Sequence, residues 1–318
     1  MILNYIKLLR VPNLIFIAGI QLLMHYCVAV PLAGSYGIAL PISLLQLVLL
    51  IVATVFIAAG GNIINDYFDM RIDEINNPDT RIVGKYLSRK ETLSFYTVIT
   101  VIGILAGAVL CYFARSLTYV FIFLMVVGLL WFYSSSYKRQ LIVGNLVVSV
   151  LMAMVPFVVA LFEMRFLLLE YMPSEELRVE QMLVNSSIIR WIGGFSLFVF
   201  CWTFIREVIK DMKDEAGDRE MECHTIPVVW GVGKSKIIIS LLIVMALGVG
   251  AYFVFGVIPL EGSLTWRFFL SGIVIPAIVL LYLIYKAEDK EDYRWGAHVA
   301  KAIMIIGTLY SVVVWYLL

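Results

Sequence analysis

Long apolar stretches, broken by short polar ones, run along the whole chain without the two-residue alternation of a half-buried strand. Runs of the roughly 20 residues a helix needs to cross about 30 Å of hydrocarbon fall near Leu14–Leu32, Ile42–Ile64, Leu93–Phe113, Thr118–Tyr133, Leu141–Phe162, Ile188–Ile209, Ile237–Val257, Phe268–Tyr285 and Val299–Leu317. Backbone groups in lipid must find partners within their own segment or in a closed barrel, and uninterrupted runs select helices. The pattern predicts an all-α membrane protein with nine transmembrane helices, a single domain over residues 1–318. The run after Arg10 is too long for a signal-peptide core and lacks a small-residue cleavage site, so it reads as a retained first span.

Composition agrees: 62% of residues are hydrophobic and only 15% charged, against roughly a quarter charged in soluble domains. The net charge of +1 gives no support for a nucleic-acid partner. Cys27, Cys111 and Cys201 sit in apolar runs, and Cys223 sits in a polar loop beside His224. No CxxC pair signals a disulfide framework or a zinc site.

The distribution of basic residues gives an orientation. With the N-terminus inside, only Arg115, Arg165, Arg178, Arg190 and Arg267 of the 24 lysines and arginines fall in outside segments. That is the bias expected of cytoplasmic loops. Two inside loops, near 66–90 and 211–233, are rich in carboxylates. A third, near 286–296, mixes Glu288, Asp289, Glu291 and Asp292 with lysines and reads as a solvated loop. The outside segment 163–187 carries Glu163, Glu170, Glu175, Glu176 and Glu180, and Pro173-Ser174 could begin a short helix there. His25 and His298 read as packing or interface residues.

The candidate chemistry lies in the first two loops. Asp66, Asp69 and Asp73 are spaced i, i+3, i+7 where the second span ends, and Asp211, Asp214 and Asp218 repeat that spacing where the sixth ends. On a continuing helix each triplet shares one face, where like charges repel. Two such triplets on one membrane side imply a compensating cation. Mg²⁺ fits, since it takes one or two carboxylates and completes its shell with water and substrate phosphate. Arg81, Lys138, Arg139, Arg206 and Lys210 lie on the same side and could steady a diphosphate.

At these residues the sequence resembles the UbiA superfamily of intramembrane prenyltransferases. Asn65, Asp69 and Asp73 match its Asn-x3-Asp-x3-Asp motif, with Asp66 completing the Asn-Asp pair, and Asp214 and Asp218 match its Asp-x3-Asp motif, with Asp211 preceding. Tyr133, Ser134, Lys138, Arg139, Gly144 and Asn145 resemble a further family stretch, and Arg10-Val11-Pro12-Asn13 resembles the entry to its first helix. An ordinary interfacial cap explains Asn13 equally well. The resemblance implies a helical barrel around a central cavity that holds an isoprenoid tail and opens to lipid. Asn13, Tyr133, Ser134 and Asn145 would border the substrate, and the catalytic and Mg²⁺-holding set would be Asn65 with the six aspartates. It further implies transfer of a prenyl group from a prenyl diphosphate to a lipid or aromatic acceptor. The run from Arg206 through Asp218 to Thr225-Ile226-Pro227-Val228 looks most like the branch that makes geranylgeranylglyceryl-phosphate ether lipids, with quinone-precursor prenylation as the alternative. Asn77-Pro78 is not followed by the family's Arg-Pro, because Ile82 follows Arg81. A cation-coupled transporter, which would place ionisable groups near the bilayer midplane, is the rival of another class.

Overall fold

A computed structural model of the chain describes residues 2–76, 81–171, 178–257 and 263–318. Asn77-Pro78 and Pro173-Ser174 lie outside the described residues. Among those residues nine helices are long and apolar enough to span a membrane. They are α1 (Val11–Ser35), α2 (Leu44–Phe68), α3 (Arg89–Phe113), α4 (Leu117–Ser135), α5 (Val143–Tyr171), α6 (Val179–Glu220), α7 (Val232–Gly256), α8 (Ser263–Lys286) and α9 (Lys290–Leu317).

The helices begin where local chemistry starts them. Ser43 and Ser88 cap α2 and α3, each accepting from a backbone N–H three residues on while Gln46 or Glu91 reaches back. Asp289 does the same for α9, its carboxylate accepting from the N–H groups of Glu291 and Asp292. The segment 286–296 is therefore largely the first turns of α9 rather than a loop, although Glu288, Asp289, Glu291 and Asp292 are exposed to solvent. The stretch 211–233 is likewise mostly helical, since α6 runs to Glu220 and a short helix covers Ile226–Trp230.

α2 packs along α3, α5 along α6, and α6 along α9, while α1 touches α2, α5 and α9 and so closes the ring. The α2–α3 contact depends on Gly103: a Cβ there would come within 3.1 Å of the Ala53 carbonyl oxygen and 3.0 Å of the Ile57 nitrogen. Small residues serve this purpose in lipid, where close backbone approach drives helix association. One apolar core gathers Ile17, Leu50, Phe123, Val159 and Phe162, and a second gathers Trp202, Ile239, Leu280 and Ile303. Large apolar side chains also point outward, among them Val98 and Leu105 on α3, Leu241 and Met245 on α7, and Ile275 and Tyr282 on α8. Such a surface requires lipid as its solvent. The protein is an integral, multi-pass membrane protein.

One pair of ionisable side chains lies deep among these helices. Glu163 on α5 is fully buried, and its Oε1 sits 2.5 Å from Nδ1 of His25, in a π-helical stretch of α1. Nearby, Gln21 Nε2 donates to Thr54 Oγ1 at 3.0 Å and to the Val155 carbonyl at 3.4 Å. Glu163 thus belongs to the bundle interior rather than to an outer loop.

Candidate active site

Between the two cores lies a cavity of about 430 Å³. α1, α2, α4, α5, α6 and α9 supply its walls, and among the described residues α3, α7 and α8 supply none. Its deep part is apolar, with Ile17, Ile57, Phe123, Val155 and Val158; its other end is strongly charged.

The first triplet is not carried by one continuous helix. α2 ends at Phe68, Asp69 caps it, and a separate short helix starts at Ile72. The Asp69 N–H still donates to the Asn65 carbonyl at 2.9 Å, and the Asp73 N–H to the Asp69 carbonyl at 2.8 Å. Helix-like spacing therefore persists across the break, and Asp69 and Asp73 both reach the cavity. Asn65 Nδ2 donates to Asp69 Oδ2 at 2.7 Å, and the Lys138 ammonium donates to the same oxygen. Burial works against the charge on Lys138, but Asp69, Tyr133 and Asp73 together outweigh it and hold the lysine's pKa above its ordinary range.

Lys138 is placed by a tight turn. The segment Tyr137–Arg139 folds onto the start of α5, where Gly144 leaves room: a Cβ there would meet the Lys138 Cα and the Tyr137 carbonyl oxygen at 2.8 Å. Asp66 pairs with Arg10, whose backbone takes the left-handed conformation (φ 55°) between a short helix, Ile2–Leu9, and α1. Such a conformation costs a non-glycine residue roughly 1–2 kcal/mol, so this bend is held by its surroundings, the Asp66 ion pair among them.

The second triplet does lie on one helix, α6. Asn145 Nδ2 donates to Asp211 Oδ2 at 2.8 Å, Thr225 Oγ1 donates to Asp218 Oδ2 at 3.3 Å, and Lys213 pairs with Asp214 at 3.2 Å. One turn deeper, Glu207 accepts from Arg206 Nη1 and from Lys210 Nζ, both at 2.7 Å.

Asn13, Asn65, Asp69, Asp73, Tyr133, Lys138, Asn145, Arg206, Lys210, Asp211, Asp214 and Asp218 thus line one cavity. Four expected residues stand elsewhere. Asp66 does not itself reach the cavity wall and is held by Arg10, which does. Arg81 pairs with Glu74, a closer partner in sequence, and does not reach the cavity wall. Arg139 is exposed, and its backbone carbonyl accepts from His224. Ser134 turns its hydroxyl back onto the Leu130 carbonyl at 2.8 Å. Conversely, Arg10, Glu207, Lys213 and Lys301 line the cavity without having been singled out as site residues. Lys213 and Lys301 served only as orientation signals, and Arg10 otherwise only as the start of the Arg10-Val11-Pro12-Asn13 stretch. An ammonium within the ninth apolar run was the available clue to Lys301.

Five aspartates line the charged end and Asp66 joins them through its pair with Arg10; Lys138 and Lys213 are the other cations there, so negative charge is in excess. Among the described residues no three carboxylates converge as a preformed metal cage. Mg²⁺ does not require one, because phosphate and water supply most of its shell. The donors are hard oxygen atoms and suit it.

Residues 26–304 match the UbiA prenyltransferase family. A digeranylgeranylglyceryl phosphate synthase from Sulfurisphaera tokodaii is 30% identical over 295 residues, which cover 91% of each chain. Among solved structures, a digeranylgeranylglyceryl phosphate synthase superposes with a TM-score of 0.64 at 21% identity, over 100% of this chain and 99% of its own. A UbiA homolog from Archaeoglobus fulgidus bound to GPP and Mg²⁺ superposes with a TM-score of 0.55 at 13% identity, over 98% of this chain and 99% of its own. Two aspartate sets around one cavity in a nine-span bundle, together with a match over most of the sequence, make this chain a member of the UbiA prenyltransferase family.

Proposed function

We propose that this prenyltransferase joins a geranylgeranyl group to a geranylgeranylglyceryl phosphate acceptor, with Mg²⁺ and a cytoplasmic active site. The observation that carries this reading is the arrangement of the two aspartate sets around Lys138, above an apolar cavity. Asp66, Asp69 and Asp73 on one side and Asp211, Asp214 and Asp218 on the other would hold Mg²⁺, which when bound neutralises charge on a leaving diphosphate. Asn65 and Lys138 fix the Asp69 carboxylate, Asn145 fixes that of Asp211, and Thr225 fixes that of Asp218. Lys138 supplies a positive charge beside the departing oxygen. The bond from the prenyl C1 to the diphosphate breaks with its electron pair going to the diphosphate. The acceptor hydroxyl oxygen then bonds to C1, and its proton leaves with the diphosphate. Apolar walls keep water from that carbon. The names of the relatives, including the one 30% identical over nearly the whole chain, support a glyceryl phosphate acceptor.

Incubating purified protein with Mg²⁺, geranylgeranyl diphosphate and equal amounts of geranylgeranylglyceryl phosphate and 4-hydroxybenzoate tests this directly. Mass spectrometry is expected to find the twofold-prenylated glyceryl phosphate. Product on the aromatic acceptor alone refutes the acceptor assignment.

The orientation follows from the basic residues. In a background without the native cysteines, Glu220→Cys is expected to react with an impermeant maleimide only from the cytoplasmic side, and Arg115→Cys only from the opposite side. The reverse pattern refutes the cytoplasmic site.

A further inference from the structure

The cavity contains a second charged region of opposite sign. On α6, Arg206 and Lys210 flank Glu207, and from α9 Lys301 enters the same space and donates to Asn13 Oδ1 at 2.8 Å. Glu207 answers two of these three cations, and Lys301 has only an amide oxygen as its partner among the described residues. Arg206 and Lys301 stand close enough to repel each other. The Arg206 Nε is buried and makes no hydrogen bond among the described residues. A buried donor without an acceptor costs roughly 1–3 kcal/mol, and clustered like charges add to that cost. The logic that assigns a cation to the aspartates assigns an anion here.

Lys210 adjoins Asp211 in the chain, and Arg206 carries this region inward from the aspartates. At 1.5 Å per residue, Arg206 lies about 8 Å along α6 from Asp211 and about 12 Å from Asp214, toward the membrane interior. In a substitution at the prenyl C1, the acceptor hydroxyl approaches to about 3 Å opposite the leaving oxygen. A phosphate on the next carbon of the acceptor's glycerol would then sit roughly 8–10 Å from the leaving diphosphate. The separation of Arg206 from Asp211 and Asp214 matches that requirement.

We infer that Arg206, Lys210 and Lys301, with Asn13 orienting Lys301, form a metal-independent subsite for the phosphate monoester of the acceptor, distinct from the diphosphate subsite at Lys138. The subsite rests on the proposed glyceryl phosphate acceptor, and it explains how that acceptor would be told from an uncharged glycerol ether. It also moves Arg206 and Lys210 from the donor's diphosphate to the acceptor. Arginine and lysine hydrogen-bonded to phosphate are among the stronger polar contacts, so each should matter about tenfold or more in acceptor affinity.

The test is direct binding of geranylgeranylglyceryl phosphate and of geranylgeranylglycerol to the detergent-purified full chain in excess chelator. Wild-type protein is expected to bind the phosphate at least tenfold more tightly than the alcohol. Lys301→Met and Arg206→Met are expected to erase that preference, and Lys301→Arg to restore most of it. The KM for geranylgeranyl diphosphate should stay within about twofold of wild type in all three, which also reports correct folding. Unchanged preference in both methionine variants, or a rise confined to the KM for the diphosphate, overturns the subsite and leaves the proposed reaction standing. If wild-type protein prenylates only the aromatic acceptor and shows no preference for the phosphate, both fail together.

Discussion

Asp69→Ala and Asp214→Ala are each expected to lower turnover by about 10²–10³-fold, the scale seen when one preorganised electrostatic group at a reacting centre is removed. Asp69 lies at the end of α2 and Asp214 on α6, yet both line the same cavity. If the two helices hold one metal–diphosphate assembly, losing either side disables the whole, and the double variant should be little worse than either single one. Residues that act as a unit are strongly non-additive. Asp69→Asn keeps the side-chain shape and should lose nearly as much activity, separating chemistry from packing. Asp289→Ala is an unsuitable neutral control because Asp289 caps α9, and losing a cap costs about 1 kcal/mol of stability. Glu291→Ala is better, since its partner Arg294 is exposed and such pairs contribute little. Single variants near wild type in steady-state assays, or effects that simply multiply, would show that the two triplets work separately.

Excess chelator is expected to abolish turnover, and added Mg²⁺ or Mn²⁺ to restore it. The five aspartates that line the charged end, with Asp66 on Arg10, outnumber Arg10, Lys138 and Lys213. Without dications the remaining negative charge repels a diphosphate, while with them the carboxylates become its binding site. Thermal melting should show the same dependence. Prenyl diphosphate and Mg²⁺ together should raise the midpoint, because a ligand that binds only the folded state stabilises it. The diphosphate alone should raise it little. Full activity in excess chelator would contradict the role given to the aspartates.

The spans were readable because lipid imposes a length and an apolarity that few other environments demand. The aspartate triplets were readable because repeated like charge at helical spacing is costly without a purpose. Spacing, however, gives the angle between side chains and not the continuity of the backbone. The break after Phe68 was therefore invisible, although two i to i+4 hydrogen bonds preserve the facing that the spacing predicted. Charge near a membrane surface is ambiguous in another way. Arg81 and Arg139 carry the same orientation signal as Lys138, but Glu74 takes the first and solvent the second. Lys301 was lost for the opposite reason. Counted as a loop residue, it lies in α9 and its long side chain reaches Asn13. Glu163, read as part of an outer segment, likewise lies within α5, where it meets His25.

That last pair has a consequence for how the chain is made. Glu163 follows His25 by 138 residues, which at about 5–20 residues per second is roughly 7–28 s of synthesis. An unpaired carboxylate reaching the bilayer interior is costly. Because the imidazole is translated first, the acid enters a membrane where its partner already resides. The reverse gene order would strand the carboxylate in lipid for that interval, so the pair favours a first span that stays beside the insertion site until the fifth arrives.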